Sequence, residues 1–241
     1  MSDILLKLEG VHTHIGAYHI LHGVDLQVPR GQLTLLLGRN GAGKTTTLRT
    51  IMGLWSASQG RITFDGQDIT ALHTPAIAAR DIAYVPENMG IFADLTVKEN
   101  MLLAARQARR AGDMDEARLQ WIFQLFPAVE KFWNHPAGKL SGGQKQMLAV
   151  SRAIVEPRRL LIVDEPSKGL APVMIANMIA AFQQLKASGV TILLVEQNIH
   201  FAKQLGDSVA VMDNGRVVHA GTMQALAGDE ELQQSLLGLA L

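Results

Sequence analysis

The chain has 241 residues, of which 48% are hydrophobic and 18% are charged, a composition that supports one large domain and excludes a disordered chain. Lysine plus arginine and aspartate plus glutamate both number 22, so the net charge is zero and does not indicate a nucleic-acid-binding protein. Cysteine is absent from the sequence, which excludes disulfides, thiolate metal sites and cysteine nucleophiles.

We expect the chain itself to be cytosolic. Residues 1–10 mix polar and apolar side chains and lack the apolar core of a signal peptide. The longest apolar stretch without charge, residues 169–185, contains Pro172 and two adjacent glutamines, and it predicts a helix of a soluble protein rather than a membrane span. Any link to a membrane is therefore expected to come through partners.

Short strands and one helix are predicted in the first third of the chain. Residues 4–28 alternate in polarity and contain several β-branched side chains, as strands do. Residues 33–37 form an uncharged apolar run typical of a buried parallel strand, and a helix is predicted over residues 44–52. Residues 61–64, followed by Asp-Gly, indicate a strand and a tight turn, and residues 82–85 indicate another buried strand.

The rest of the chain predicts a helical insert followed by more strands. Helical periodicity dominates residues 96–156, whereas residues 160–163 and 190–195 are apolar runs typical of buried strands. Residues 209–219 contain Asp-Asn-Gly between two apolar segments and predict a hairpin. Residues 222–237 predict two short helices. The pattern predicts an α/β fold with a parallel core, an antiparallel β flank and an inserted helical subdomain.

A glycine-rich segment between the strand at 33–37 and the helix at 44–52 fits the phosphate-loop pattern at every fixed position: Gly38, Arg39, Asn40, Gly41, Ala42, Gly43, Lys44 and Thr45. Its glycines allow successive backbone N–H groups to point at phosphate oxygens, and the helix adds the positive end of its dipole. Lys44 is placed to reach the terminal phosphates, and the Thr45 hydroxyl is placed to ligate magnesium.

Two carboxylates follow the apolar run at residues 160–163. Asp164 and Glu165 lie at the carboxyl end of this predicted strand, where ligands of open α/β sheets bind. We expect Asp164 to hold magnesium, directly or through water, and Glu165 to orient and polarise an attacking water.

A third motif, Leu-Ser-Gly-Gly-Gln at residues 140–144, begins a predicted helix. Ser141 suits the N-cap, and Gly142 and Gly143 leave backbone N–H groups open to an anion. Taken alone, the motif fits an ordinary capped helix equally well. Gln144, however, lies 20 residues before Asp164, the usual arrangement in ATP-binding-cassette proteins.

On these three motifs the sequence resembles the ATPase subunits of ABC transporters over nearly its whole length, and it is most similar to those of the branched-chain amino acid importer type. The residues behind the narrower resemblance are 84–87 (YVPE), 95–100 (LTVKEN), 165–172 (EPSKGLAP) and 194–198 (LVEQN). The resemblance implies a P-loop NTPase fold with a RecA-like core. A single domain would cover residues 1–241, with the nucleotide-binding core and β flank at 1–87 and 159–241 and the helical subdomain at 88–158.

The resemblance also implies a site, with ATP and Mg²⁺ as cofactors. Thr46 would join the phosphate loop. Gln197 aligns with the family's switch histidine, and Glu87 aligns with a glutamine that contacts magnesium and water. Ile15 aligns with the aromatic residue that stacks on adenine, so Tyr18, the nearest aromatic, is the candidate for that role; the alternative interpretation of Tyr18 is ordinary strand packing. Glu165 and Gln197 are the expected catalytic residues, and Thr45, Asp164 and Glu87 the expected metal ligands.

The implied partners are a second ATPase subunit, identical or paralogous, and membrane permeases that dock on the helical subdomain. A solute-binding protein outside the membrane would act indirectly, and no nucleic acid is implied. Residues 141–144 would serve the partner subunit's nucleotide, and the protein would lie at the cytoplasmic face of a bacterial-type inner membrane.

Three alternatives stay open. The chain could be a nucleotide switch that hydrolyses poorly beside a paralogous catalytic subunit, as Glu87 and Gln197 suggest. It could serve an importer of urea or amide-type solutes. A soluble ABC ATPase of DNA repair or translation is the third, although such proteins need long coiled coils or a second cassette.

Among lesser features, His12 and His14 share a strand face and are interpreted as solvated. Arg106, Arg109 and Arg110 are likewise interpreted as a solvated basic cluster on a helix. Five aromatic residues in the helical insert are expected to be mostly core, with any exposed ones available to a permease helix: Trp121, Phe123, Phe126, Phe132 and Trp133.

Overall fold

The structure is a computed structural model that describes residues 3–106, 108 and 110–238. Its strands are β1 (Ile4–Ile15), β2 (Tyr18–Pro29), β3 (Leu33–Gly38), β4 (Ala57–Phe64), β5 (Gln67–Asp68), β6 (Ile82–Val85), β7 (Leu160–Asp164), β8 (Thr191–Glu196), β9 (Ser208–Asp213) and β10 (Arg216–Thr222). Its helices are α1 (Lys44–Ile51), α2 (Thr74–Ala78), α3 (Val97–Ala104), α4 (Glu116–Leu125), α5 (Pro127–Lys131), α6 (Gly142–Ala153), α7 (Pro172–Ala187), α8 (Ile199–Lys203), α9 (Met223–Gly228) and α10 (Glu230–Leu237). The predicted strands and helices are confirmed, with shifts at their ends, except that the helix expected at Arg106 and Arg110 is wrong: α3 ends at Ala104, and both arginines lie in the segment that follows it.

A six-stranded sheet in the order β10-β9-β3-β8-β7-β6 forms the core. Its strands are parallel except for β10, which pairs antiparallel with β9 at one edge. Every residue of β3, β7 and β8 is buried, as expected for strands covered on both faces. The carboxyl ends of these three adjacent strands therefore lie side by side at one edge of the sheet.

The antiparallel flank is a second sheet in the order β2-β1-β4-β5. Its inner face and α1 share one hydrophobic cluster with strands of the large sheet, including Leu21, Leu36, Leu48 and Ile51. Thr13 on β1 is also buried, and its hydroxyl lies 3.1 Å from that of Thr50 on α1. Helix α1 is thus held between the two sheets, which fixes the loop that precedes it.

Helices α3 to α6 follow β6 and pack on one another in the larger of two hydrophobic clusters. Of the five aromatic residues considered above, Phe126 is fully buried, whereas the others are partly buried and pack against this cluster: Trp121, Phe123, Phe132 and Trp133. Phe123 and Trp133 meet edge to face with ring centroids 5.2 Å apart. These aromatics are mainly packing residues, as expected.

The predicted helix without charges is α7, and among the described residues no helix is long and apolar enough to cross a membrane. In the predicted basic cluster, Arg106 pairs with Glu156 and Asp81, and Arg110 pairs with Asp113. Arg109 lies outside the described residues.

Asn100 on α3 organises the loop between β6 and α3. Its Oδ1 accepts from the Phe92 N–H at 2.9 Å, and its Nδ2 donates to the carbonyls of Phe92 and Thr96 at 2.9 and 3.0 Å. The side chain is fully buried, so its removal leaves backbone groups without partners. We expect Asn100→Ala to lower the free energy of unfolding by about 2–4 kcal/mol, measured by urea denaturation. A partly exposed neighbour without such hydrogen bonds, Lys98→Ala, should change it by less than about 1 kcal/mol.

Candidate functional site

The glycine-rich loop joins β3 to α1 in a conformation that needs glycine. Gly38 has φ 149°, and a Cβ there would lie 2.3 Å from the backbone oxygen of Met212 on β9. Gly43, the N-cap of α1, is left-handed with φ 101°, and a Cβ would lie 3.0 Å from Leu21. The chain can therefore wrap tightly at the start of α1, where free N–H groups and the helix dipole favour an anion.

Lys44 is folded back onto this loop. Only 5% of the residue is exposed, and its ammonium donates to the carbonyls of Gly38 and Arg39 at 2.8 and 3.0 Å. Burial lowers the pKa of Lys44, and the charges of Glu165 and Asp164 oppose that shift. The loop therefore encloses one cation at its centre, within reach of any phosphate that the N–H groups bind.

Asp164, the last residue of β7, is fully buried, and neither of its carboxylate oxygens has a hydrogen-bond partner. Burial raises the pKa of Asp164 to about 6, and the neighbouring Thr45 side chain opposes the rise. Buried polar atoms are almost always paired, so two unpaired oxygens indicate a missing electropositive ligand. Oxygen donors of this kind suit Mg²⁺, so the residues present fit a magnesium ion.

Glu165 follows with a left-handed backbone, φ 48°, that turns its side chain toward the loop. Its Oε1 accepts a hydrogen bond from Gln197 Nε2 and lies 3.8 Å from Lys44 Nζ. Its Oε2 lies 3.4 Å from Lys168 Nζ, and that same ammonium lies 2.5 Å from Glu87 Oε1. The structure thus joins the ends of β3, β6, β7 and β8 through one network of charged and polar side chains.

These residues surround a cavity of about 370 Å³ lined by Ile20, Asn40, Gly41, Ala42, Gly43, Lys44, Thr45, Thr46, Glu87, Glu165 and Lys168. A second cavity of about 300 Å³ borders the first part of the loop, with Gly38, Arg39, Asn40, Glu196 and Gln197 in its lining. All residues predicted from the phosphate loop, together with Glu87, Glu165 and Gln197, therefore line one of these two cavities.

The Ser-Gly-Gly-Gln motif begins α6 and is not among the residues that line either cavity. Ser141 Oγ accepts from the Gln144 N–H at 3.4 Å, and Gln144 Oε1 accepts from the Ser141 N–H at 2.9 Å, a reciprocal capping box. Ser141 and Gly142 are exposed, whereas Gly143 packs against Met174 of α7. The predicted N-cap is confirmed, and the exposed N-terminus of α6 faces away from the chain's own core.

Tyr18 begins β2 and is 76% exposed, and it too is outside the lining of both cavities. Ile20, which the sequence interpretation did not select, lines the phosphate cavity instead. The reason is an irregular register: Thr13 pairs with Leu21 and His14 pairs with His19, so Ile20 is the extra residue of a bulge.

The same bulge brings four histidines together. His12 Nδ1 lies 3.0 Å from His19 Nε2, the rings of His14 and His19 stack at 4.2 Å, and His22 lies 4.0 Å from His19. Within the described ranges, no group of three His, Cys, Asp or Glu residues has a geometry that could hold a metal ion. Of the two histidines that were interpreted as solvated, His14 is exposed and His12 is partly buried.

Two further residues were missed in the sequence. Lys168 was visible as a cation three positions after Glu165, the spacing that lets both side chains meet across a turn. Glu196 is buried and accepts from the backbone N–H and hydroxyl of Ser167, both at 2.9 Å, which ties the segment after Glu165 to the end of β8. In the sequence, the one sign that Glu196 has a structural role is its position as a carboxylate at the end of the apolar run of β8.

Residues 21–168 match the family model described as ABC transporter. The high-affinity branched-chain amino acid transport ATP-binding protein BraG of Pseudomonas aeruginosa is 37% identical over 236 residues, covering 97% of this chain and 100% of that protein. The probable branched-chain amino acid transport ATP-binding protein LivF of Archaeoglobus fulgidus is 34% identical, covering 92% of this chain and 93% of that protein. A crystal structure of an ATP-binding cassette of an ABC transporter in its ADP conformation superimposes with a TM-score of 0.82 at 25% identity, covering 99% of this chain and 100% of the other. With more than half of its length in the family model and its fold shared end to end, this chain belongs to the ABC transporter family as one of its ATP-binding, ATP-hydrolysing subunits.

Proposed function

We propose that this ATPase energises an importer of branched-chain amino acids, with the phosphate loop and the carboxylates at the end of β7 as its catalytic site. The observation that carries the site assignment is the approach of Lys44 Nζ to Glu165 Oε1, 3.8 Å, at the common edge of β3 and β7. A phosphate-binding cation and a candidate base thus face one cavity of about 370 Å³.

In this site the loop N–H groups from Gly38 to Thr46 and the Lys44 ammonium bind the phosphates of ATP. Thr45, Asp164 and Glu87 would hold Mg²⁺, which would neutralise charge on the phosphates. Glu165 orients the attacking water and accepts its proton. Gln197 donates a hydrogen bond to Glu165 Oε1, which holds the carboxylate in place.

Branched-chain amino acids are the proposed solute class because BraG and LivF carry that description over nearly the full length of this chain. The segments 84–87, 165–172 and 194–198 support the same subgroup. An importer of urea or amide-type solutes is the alternative, since the solute contacts other subunits.

The working unit is proposed to be a head-to-tail pair of ATPase subunits, identical or paralogous. In such a pair Ser141, Gly142, Gly143 and Gln144 would bind the nucleotide held by the partner's phosphate loop. Support comes from α6, whose capped and exposed N-terminus lies outside both of the chain's own cavities yet presents N–H groups suited to an anion.

Membrane permeases are proposed to dock in a cleft of about 750 Å³ between the β-core and the helical segment. Its lining joins Trp55 and Tyr84 on the core side to Ala104, Ala149 and Arg152 on the helical side. Leu54 in the cleft is 50% exposed. A lining that combines apolar side chains with arginines suits a short amphipathic helix of a permease loop. The subunit would thereby lie at the cytoplasmic face of the membrane and act on an external solute-binding protein only indirectly.

A hydrolysis-poor switch that relies on a paralogous subunit is the second candidate function. Glu87 and Gln197 favour it, because Glu87 adds negative charge near the phosphates and Gln197 cannot carry a proton as histidine does. The position of Glu165, nine-tenths buried and hydrogen-bonded, favours the catalytic interpretation instead.

The test is the ATPase rate as a function of protein concentration for the wild type and Glu165→Gln. A rate that rises more steeply than linearly and falls about 10²-fold or more in the variant is expected, because the shared site needs two subunits and the base is lost. Glu165→Gln should also give an ATP-dependent dimer by light scattering.

The matched control is Glu130→Gln, an exposed carboxylate on α5, which should hydrolyse ATP as the wild type does. If Glu165→Gln kept the wild-type rate, Glu165 would not be the base. A near-zero wild-type rate with intact ATP binding would favour the switch.

A further inference from the structure

Lys168 places a second ammonium group in the phosphate cavity, opposite Lys44. Both lysines line the same 370 Å³ space. Each ammonium lies near a different oxygen of the Glu165 carboxylate: Lys44 Nζ is 3.8 Å from Oε1, and Lys168 Nζ is 3.4 Å from Oε2. The carboxylate proposed to activate water is therefore bracketed by two cations, of which only one belongs to the phosphate loop.

The backbone under Lys168 is fixed. The preceding residue, Ser167, is held by two 2.9 Å hydrogen bonds to the buried carboxylate of Glu196, and the Lys168 N–H donates to the Glu165 carbonyl at 3.2 Å. Its side chain, in contrast, is 58% exposed and flexible by nature. The backbone of Lys168 is therefore fixed, whereas its ammonium group can move at the edge of the cavity.

The ammonium is shared by two carboxylates. It lies 2.5 Å from Glu87 Oε1, and Glu87 is the first and Glu165 the second cause of the raised pKa of Lys168, which keeps it charged at neutral pH. Together with Asp164, these carboxylates would repel a triphosphate if Lys44 were the only cation. Lys168 balances that charge at the end of the cavity where Glu165 meets the nucleophilic water, which is the end of the terminal phosphate.

We propose that Lys168 is a γ-phosphate-binding residue that gives this subunit its preference for ATP over ADP, an inference that rests on the proposed function of the same site. The terminal phosphate competes with Glu87 for the ammonium. Binding of the triphosphate then transfers Lys168 from the carboxylates to the phosphate and leaves Glu165 Oε2 available to water. ADP lacks the group that makes this contact.

The test is isothermal titration calorimetry of Mg·ATP and Mg·ADP, with Glu165→Gln as the background so that ATP persists. Adding Lys168→Met should weaken ATP about 10-fold, the usual effect of one charge-assisted hydrogen bond, and change ADP less than twofold. Lys168→Arg should restore most of the ATP affinity. Lys203→Met, the same charge change at an exposed position on α8, should alter neither nucleotide.

The competition with Glu87 gives an independent readout. Glu87→Gln should increase the effect of Lys168→Met on ATP affinity, because the ammonium loses its carboxylate partner and serves the phosphate alone. Equal weakening of ATP and ADP by Lys168→Met, or no change in either, would overturn the proposal. Failure of the parent protein to bind any nucleotide would instead refute the proposed function, so the two outcomes are distinguishable.

Discussion

Asp164→Asn should stabilise the protein in the absence of ligands and, at the same time, weaken its affinity for Mg·ATP by about 100-fold. Both results follow from one feature, a fully buried carboxylate whose two oxygens have no hydrogen-bond partner. A rise in pKa from 3.8 to about 6 means that the ionised form is disfavoured in the folded state. At 1.36 kcal/mol for each unit of pKa, keeping the Asp164 carboxylate ionised in the folded state costs about 2–3 kcal/mol.

The pH dependence has a definite sign. Because the folded-state pKa of Asp164 is the higher one, the cost is absent below about pH 4, grows up to about pH 6 and is constant above it. The gain from Asp164→Asn should follow that profile in thermal unfolding with EDTA. Mg²⁺ needs the ionised carboxylate, so the affinity of the wild type for Mg²⁺ in the presence of ATP should fall as the pH drops through 6.

Asp94→Asn is the matched control, since Asp94 is exposed in the loop before α3 and should show neither effect. A destabilised Asp164→Asn protein at pH 7.5 would show that the carboxylate has a structural partner. An unchanged affinity for Mg²⁺ would remove Asp164 from the metal site.

The strands that carry the site could be predicted, because a strand that is buried on both faces is apolar at nearly every position in the sequence. β3, β7 and β8 are mainly apolar and carry no charge before their ends, and in each case the chemistry begins where the apolar run ends: at Gly38, at Asp164 and at Glu196. In a parallel sheet these ends must lie at the same edge, so the meeting of the phosphate loop with Asp164 and Glu165 follows from the sequence and strand order alone.

The contacts between side chains could not be predicted in the same way. Lys168 and Glu87 are 81 positions apart, and their pairing depends on how the segment after Glu165 is tied to Glu196. The position of Ile20 depends on a bulge in β2, and a bulge changes which side chains face the cavity without changing the alternating pattern that predicts the strand. Tertiary packing determines the strand register and the direction of these side chains, and a local sequence pattern does not predict tertiary packing.

Lys44→Ala should reduce the affinity for both ATP and ADP by about 100-fold or more, measured by calorimetry. Its ammonium is buried at the centre of the loop, and a hydrogen bond to a charged partner contributes about 1.5–3 kcal/mol. The substitution also leaves the carbonyls of Gly38 and Arg39 without that donor, so the loop loses part of its order. Circular dichroism should show a folded protein, since the sheet and α1 are held by the apolar cluster around Leu36 and Leu48.

The pattern across nucleotides separates the two lysines. Lys44 lies at the start of α1, within reach of the β-phosphate that ADP and ATP share as well as of the γ-phosphate, so its loss should weaken both nucleotides. Lys168 lies beyond Glu165, so its loss should affect ATP alone. Unchanged affinity for both nucleotides in Lys44→Ala would show that the glycine-rich loop is not the phosphate site. A loss confined to ATP would show that the ammonium of Lys44 contacts the terminal phosphate alone and not a phosphate that ADP retains.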